Sequence, residues 1–148
     1  MYMRLMAQAT PVVRARAMAR YLADPRDTAT PNGTVRLLAR AFRGELLGKT
    51  TTEFLIETMK AATTGPSRLK GLLPEGTVVA HKTGAWGTAN GLGGATNDVG
   101  VGFLTRGAGE IAVAVFVKGS ARQEAARERV IASIKRAAYD SSAGAGRG

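Results

Sequence analysis

Three consecutive residues could together bind an anion: Lys82, Thr83 and Gly84. They offer an ammonium group, a hydroxyl group and a backbone without a side chain, in that order. Lysine and threonine together suit a carboxylate, because one supplies charge and the other a hydrogen bond. A glycine beside them leaves the backbone open to a ligand that lies along it. The tripeptide is common, however, and by itself it is explained more simply as a strand end that runs into a turn.

The composition narrows the chemistry that could accompany this motif. The chain has no cysteine and a single histidine, His81. Thiolate nucleophiles, disulfides and cysteine-bound zinc are therefore excluded, and one histidine cannot form a histidine-based metal site. We expect no metal and no cofactor, and a hydrolytic mechanism would have to use Ser, Lys, Glu or Asp.

The chain is basic, with 21 Lys and Arg against 11 Asp and Glu and a net charge of +10. This balance is one feature of nucleic-acid-binding proteins. Here the arginines are scattered over helical segments and the aromatic residues form no stacking pattern, so solvated helix faces are the better interpretation. We expect no nucleic-acid partner, although a basic surface can steer anionic small molecules.

The elements that must position the motif are helices followed by an antiparallel sheet. Thr30 and Pro31 predict an N-cap and first helical residue, Thr50 to Glu53 has capping-box spacing, and Ser120 is a plausible N-cap for the last helix. The predicted helices cover residues 11–23, 31–43, 50–63 and 121–139, and the predicted strands cover 77–81, 98–104 and 111–118. This order predicts an α+β fold, an antiparallel sheet with flanking helices. Strand alternation directs His81 away from the face of Lys82, which favours a structural role.

Three further stretches match a known family in order and spacing: residues 25–31 (PRDTATP), 64–74 (TGPSRLKGLLP) and 95–100 (ATNDVG). With the Lys-Thr-Gly motif, they resemble the class A serine β-lactamases, in a branch similar to the PER and VEB enzymes. The resemblance covers residues 24–139 and implies the C-terminal half of a β-lactamase/transpeptidase-like, serine penicillin-recognising fold. We expect a divergent segment over 1–23, the catalytic-domain half over 24–140 and a disordered Ser/Gly/Ala tail over 141–148.

The resemblance also implies roles for single residues. Lys82 would anchor the substrate carboxylate and polarise a neighbouring serine, and Thr83 would hydrogen-bond the same carboxylate. The backbone N–H of Ala85 would supply one oxyanion-hole donor. Many members carry an arginine at the position assigned to Asn90, and Arg68 would supply a substitute guanidinium for substrate binding.

The family's nucleophile is not found at its expected place. No Ser-Asp-Asn occurs in the chain, and the Ser-x-x-Lys at Ser67–Lys70 lies too close to the Lys-Thr-Gly motif to be the nucleophile's helix. Arg14 stands where a deacylating glutamate is expected. We therefore expect no turnover by this chain in isolation.

The function implied by the resemblance is β-lactam hydrolysis through a serine acyl-enzyme. It implies a small-molecule β-lactam partner, a periplasmic or secreted location without a signal peptide in this chain, no membrane association, and a monomer when full length. A penicillin-binding protein related to D,D-peptidases or transpeptidases, and a degenerate non-catalytic fragment, remain alternatives. The deacylating glutamate would separate the first of these from a β-lactamase.

Overall fold

The computed structural model describes residues 9–26, 28–89, 91–107 and 109–145. Within these ranges the chain forms helices and an antiparallel sheet, in keeping with the predicted α+β class. The elements in chain order are α1 (Pro11–Ala23), α2 (Pro31–Phe42), α3 (Lys49–Lys60), β1 (Val79–Ala89), β2 (Leu92–Phe103), a 3-10 turn (Thr105–Gly107), β3 (Glu110–Ser120) and α4 (Glu124–Ala145). None of these helices is long and apolar enough to cross a membrane.

The start of α2 confirms the predicted cap. The Thr30 hydroxyl accepts a hydrogen bond from the Gly33 N–H at 3.1 Å, and Pro31 is the first helical residue. Helix α3 differs, because its N-cap is Gly48 and no side chain caps it. The Gly48 carbonyl accepts from the Thr52 N–H at 2.9 Å, so Thr50 already lies inside the first turn and cannot act as the cap.

The strands are longer than the sequence predicts. They pair in the order β1-β2-β3, and both pairs are antiparallel. Strand β1 continues past Gly84 as far as Ala89, which pairs with Leu92 beside the connecting turn. The Lys-Thr-Gly motif therefore lies within a strand and not at its end. Cross-strand pairing extends the strand through Ala85, Gly87 and Ala89, which have little strand propensity of their own, and through Trp86 and Thr88 between them.

The last helix begins later and ends later than predicted. Ser120 is the final residue of β3, and its hydroxyl accepts from the Arg122 N–H at 3.2 Å, so it is not the helix cap. The helix runs to Ala145, so residues 141–145 are helical and the predicted disorder is wrong there. Residues 146–148 lie outside the described residues. Alanine and serine are compatible with a helix already started, and the Arg136–Asp140 pair at 2.7 Å supports this end.

The core lies between one face of the sheet and α4. Its buried members come from the 66–73 turn, β1, β3 and α4: Leu69, Val79, Val113, Val115 and Ile131. Helix α2 packs against β3 and β2, and α3 packs against β1. These contacts hold β1 between its neighbour β2 and the helical segments that precede it in the chain.

Lys135 of α4 is fully buried in this layer. Its ammonium donates a long hydrogen bond of 3.4 Å to the Ile111 carbonyl. The ammonium fits here because Gly102 has no side chain; a Cβ at that position would lie only 2.2 Å from Nζ. Burial disfavours the charged form and lowers the pKa of Lys135 from 10.5 to about 8. The lysine therefore costs the fold stability at neutral pH.

We predict that Lys135→Met stabilises the protein at pH 7. Because the folded-state pKa lies below the unfolded value, the unfolded chain binds more protons between about pH 8 and pH 10.5. The penalty is complete below pH 8 and disappears as pH rises through this window. A pKa displacement from 10.5 to about 8 corresponds to about 3 kcal/mol.

Urea denaturation at pH 7, 9 and 10.5 measures this effect. The unsubstituted protein should gain stability over the series, and Lys135→Met should remove the contribution of this lysine to the gain. The exposed Lys49→Met is the matched control and should leave the pH dependence unchanged. An equal pH dependence in Lys135→Met and the unsubstituted protein would contradict the assignment.

Candidate functional site

The candidate site is the stretch of β1 from Lys82 to Ala85. Lys82 and Ala85 are exposed, whereas Thr83 and Gly84 are half-buried. Within the described part of the chain, β1 is an outer strand of the sheet and pairs only with β2. Four of the five predicted site residues are thus consecutive along one outer strand, and Arg68 is the fifth.

The Lys82 ammonium has no acidic partner among the described residues. The one hydrogen bond that it makes within the described ranges is to the carbonyl of the next residue, Thr83, at 2.5 Å. A surface ammonium that contacts only a neutral carbonyl can exchange that contact for an anion, with a gain in Coulomb energy. Lys82 therefore carries uncompensated positive charge on the outer strand.

The Thr83 side chain contacts the turn that follows α3. Its hydroxyl lies 2.8 Å from the Thr64 hydroxyl, and either group can donate. Gly65 makes this approach possible because it has a φ of 61°, and a Cβ there would lie 2.7 Å from the Thr83 methyl carbon. The rotatable hydroxyl of Thr83 can donate to a ligand while it accepts from Thr64.

Arg68 lies behind the strand and is 5% exposed. Its Nη1 donates to the carbonyls of Asn97 at 3.0 Å and Gly84 at 3.3 Å. Nε donates to Glu128 at 2.9 Å and Nη2 to Glu124 at 3.4 Å. The guanidinium is thus neutralised by two carboxylates and supports the β1 backbone. Its contact with a substrate carboxylate stays a prediction.

His81 and Asp98 form a fully buried pair beneath the motif. His81 Nδ1 lies 2.9 Å and 3.0 Å from the two carboxylate oxygens, and one of these oxygens also accepts the Leu69 N–H at 3.1 Å. His81 thus points away from the face of Lys82, as strand alternation predicts. The sequence analysis did not assign Asp98 this role. The available signal was its position between Thr96 and Gly100 on the core-facing side, where a carboxylate needs donors.

The prediction that Asn90 takes the position of the family's strand arginine falls outside the described residues. The described part of the next strand, β2, begins at Leu92. The residue opposite Ala85 is Thr96. Its hydroxyl accepts from Nε of Arg127 at 2.8 Å, and this second buried arginine reaches the strand from α4. Sequence reasoning missed Arg127 because its side chain is indistinguishable in the sequence from the exposed arginines of the same helix.

The alternative Ser-x-x-Lys does not form a nucleophilic pair of the family's kind. Ser67 and Lys70 lie in a turn and not at the start of a long helix. The Lys70 ammonium donates to the Ala62 carbonyl at 2.8 Å. The lysine therefore anchors the turn to the end of α3, in agreement with the prediction that this match is coincidental.

A cavity of about 860 Å³ lies beside the site and does not include it. It lies between the end of α1, the 24–29 segment and strands β2 and β3, and its lining includes Asp24, Arg26, Asn97, Phe116 and Lys118. Tyr21 borders this cavity and stacks on Trp86 with ring centroids 4.7 Å apart. The candidate site rests on the strand residues and their charges, since none of Lys82 to Ala85 lines the cavity.

An antiparallel sheet flanked by helices, with Lys-Thr-Gly on an outer strand, is the arrangement that the class A β-lactamase resemblance implies. The model of the Beta-lactamase enzyme family matches residues 1–142, and the chain belongs to that family. It is 45% identical to the extended-spectrum β-lactamase PER-1 of Pseudomonas aeruginosa over 72% of this chain and 34% of that protein. It is 40% identical to the β-lactamase VEB-1 of the same organism over 76% of this chain and 38% of that protein.

Solved structures give the same result. The TLA-3 extended-spectrum β-lactamase matches with a TM-score of 0.76 and 46% identity, over 78% of this chain and 42% of that one. A β-lactamase from Chitinophaga pinensis matches with a TM-score of 0.74 and 45% identity, over 76% and 42%. The class A resemblance and the α+β fold are confirmed. The chain spans between one third and somewhat over two fifths of the length of these relatives.

We predict that Asp98→Ala destabilises the protein by roughly 3 kcal/mol, because it leaves buried donors of His81 and Leu69 without an acceptor. Asp140→Ala is the matched control, since Asp140 is exposed and pairs with an exposed arginine, and it should cause little change. Thermal and urea denaturation measure both. Equal stability losses in the two variants would show that the buried carboxylate does not organise the strands.

Proposed function

We propose that this chain is the carboxylate-binding part of a class A serine β-lactamase. The observation that carries the proposal is the exposed Lys82 ammonium, which has no acidic partner in the described residues and donates to the backbone carbonyl of Thr83, the next residue of the outer strand. Lys82 supplies charge and Thr83 a directional hydrogen bond to the carboxylate of a β-lactam. The names of PER-1 and VEB-1 support the substrate class.

Gly84 supports a ligand that lies along β1. The added Cβ would meet its nearest atom, the Asn97 Cβ, at an ordinary 3.7 Å, and Gly84 is not among the residues with positive φ. Neither packing nor backbone conformation within the described residues therefore requires glycine here. Access for a ligand to the backbone explains the missing side chain.

Arg68 acts in this proposal chiefly through the strand. Its charge is offset by Glu124 and Glu128, so it adds little net attraction for an anion at the surface. Its hydrogen bond to the Gly84 carbonyl holds the segment between Thr83 and Ala85. Fixing this segment restricts the directions of the Thr83 hydroxyl and the Ala85 N–H, which binding of a rigid bicyclic ligand requires.

The reaction assigned to the whole protein is acylation of a serine by the lactam carbonyl, followed by hydrolysis of the acyl-enzyme. The Ala85 N–H would donate one hydrogen bond to the developing oxyanion. Ser67 cannot replace the nucleophile, since its lysine is bound to Ala62. The chain by itself is therefore proposed to bind β-lactams without turnover, and the family supports a periplasmic or secreted location.

Trp86 gives a direct test of binding, because it is the single tryptophan of the chain and follows Ala85. We predict a saturable change in its fluorescence when benzylpenicillin is added. Lys82→Met should raise the dissociation constant about tenfold or more. This is the typical effect of losing a hydrogen bond to a charged group. The exposed Lys49→Met should bind as the unsubstituted protein does.

A parallel assay tests the absence of turnover. The purified chain should hydrolyse a chromogenic cephalosporin no faster than buffer does. Measurable hydrolysis would refute the predicted inactivity but leave the binding site intact. A fluorescence titration without saturation, or equal affinities of Lys82→Met and Lys49→Met, would refute the binding site itself.

A further inference from the structure

The turn that follows α3 meets β1 at the candidate site. The Thr64 hydroxyl of this turn lies 2.8 Å from the Thr83 hydroxyl. In the same turn, Nη1 of Arg68 donates to the carbonyl of Gly84 at 3.3 Å. One short segment therefore contacts both the side chain of Thr83 and the backbone of the residue after it. The hydroxyl that it contacts is the one to which carboxylate binding is assigned.

Two hydrogen bonds fix the backbone that follows Thr64. The Arg68 N–H donates to the Gly65 carbonyl at 3.0 Å, which closes the turn. The Leu69 N–H donates to the fully buried carboxylate of Asp98 at 3.1 Å, which joins the turn to β2. The Thr64 hydroxyl is thus carried by a segment that is already attached to the sheet.

The methyl group of Thr83 packs against the same turn. A Cβ on Gly65 would lie 2.7 Å from this methyl carbon and 2.9 Å from Cδ of Arg68, so both groups occupy space that a side chain would need. The hydroxyl and the methyl group of threonine rotate together, because both are attached to Cβ. With the methyl group against Gly65 and the hydroxyl on Thr64, one rotamer of Thr83 makes both contacts at once.

The number of protons sets the direction of this hydrogen bond when an anion binds. Each hydroxyl has one proton to donate and lone pairs that accept. In the free chain either of the two hydroxyls can be the donor. A carboxylate only accepts, so the Thr83 proton must point to it and the Thr64 proton then points to the Thr83 oxygen. Hydrogen bonds in such a chain polarise one another, which strengthens the bond to the carboxylate.

We propose that Thr64 is a positioning residue for carboxylate recognition: it fixes the rotamer of Thr83 and donates to the Thr83 oxygen while Thr83 donates to the ligand. This inference rests on the function proposed for Lys82 and Thr83. It adds a residue outside the Lys-Thr-Gly motif that acts on the ligand through Thr83 and not by direct contact. Its effect is therefore on affinity, and it disappears when the Thr83 hydroxyl is removed.

Alanine and serine at position 64 isolate the hydroxyl, because these two side chains differ only in that oxygen. In a benzylpenicillin titration followed by Trp86 fluorescence, Thr64→Ala should raise the dissociation constant about fivefold, the typical effect of losing one hydrogen bond between neutral groups. Thr64→Ser should bind nearly as the unsubstituted chain does. Thr63→Ala is the matched control, since Thr63 is exposed beside Thr64 and its replacement leaves the contact with Thr83 in place.

A double substitution separates positioning from direct contact. Thr83→Val removes the hydroxyl through which Thr64 acts, so the addition of Thr64→Ala to this variant should leave the dissociation constant unchanged. A loss of affinity of the same size with and without Thr83→Val would show that Thr64 binds the ligand itself. That result would overturn the proposal.

The rotamer of Thr83 can be measured in the free chain by nuclear magnetic resonance. Three-bond couplings from the backbone nitrogen and carbonyl carbon to the Thr83 methyl carbon should report one rotamer in the unsubstituted chain and in Thr64→Ser. In Thr64→Ala these couplings should move toward the average of several rotamers. Averaged couplings in the unsubstituted chain, or equal couplings in all three proteins, would contradict the positioning role.

The outcomes separate this inference from the function on which it rests. Equal affinities of Thr64→Ala and Thr64→Ser, with weak binding by Lys82→Met, would overturn the role of Thr64 alone. Equal affinities of Lys82→Met and Lys49→Met, or a titration without saturation, would refute the carboxylate site. The role of Thr64 in recognition would then fall with that site.

Discussion

The structure depends on one buried carboxylate. Asp98 is wholly excluded from solvent, and a buried charge of this kind is costly unless donors surround it. Its donors come from two other parts of the chain: the His81 ring of β1 and the Leu69 N–H of the 66–73 turn. One side chain on β2 thus joins both segments that build the candidate site. A shift of β1 by one residue would break this contact and direct Lys82 into the core.

The same arrangement separates two kinds of positive charge. Arg68 follows the turn into the interior, where two glutamates of α4 neutralise it and two strand carbonyls use its remaining donors. Lys82 lies on the opposite face and meets only a carbonyl. Positive charge that is available to an anion is therefore placed at the strand surface, while the buried arginine contributes rigidity. The two cations near the motif therefore have different surroundings, since carboxylates offset the charge of Arg68 and no described carboxylate offsets that of Lys82.

Local signals predicted much of the fold, and long-range contacts account for what they missed. Thr30 and Pro31 marked the start of α2 because capping is decided within one turn. The alternation at His81 and Lys82 likewise follows from strand geometry alone. The lengths of the strands could not be predicted, since residues after Gly84 become a strand only by pairing with β2. The buried contacts of Asp98 and Arg127 could not be predicted either, because their partners lie 17 and 31 residues away in the sequence.

Several contacts among the described residues of this chain support the candidate site. Thr64 and Gly65 set the approach to Thr83, Arg68 holds the Gly84 carbonyl, and the buried pair fixes the strand beneath them. Recognition of a carboxylate and attack on a lactam make different physical demands. The first needs a rigid strand with an uncompensated cation, whereas the second also needs a nucleophile aligned with the oxyanion donor.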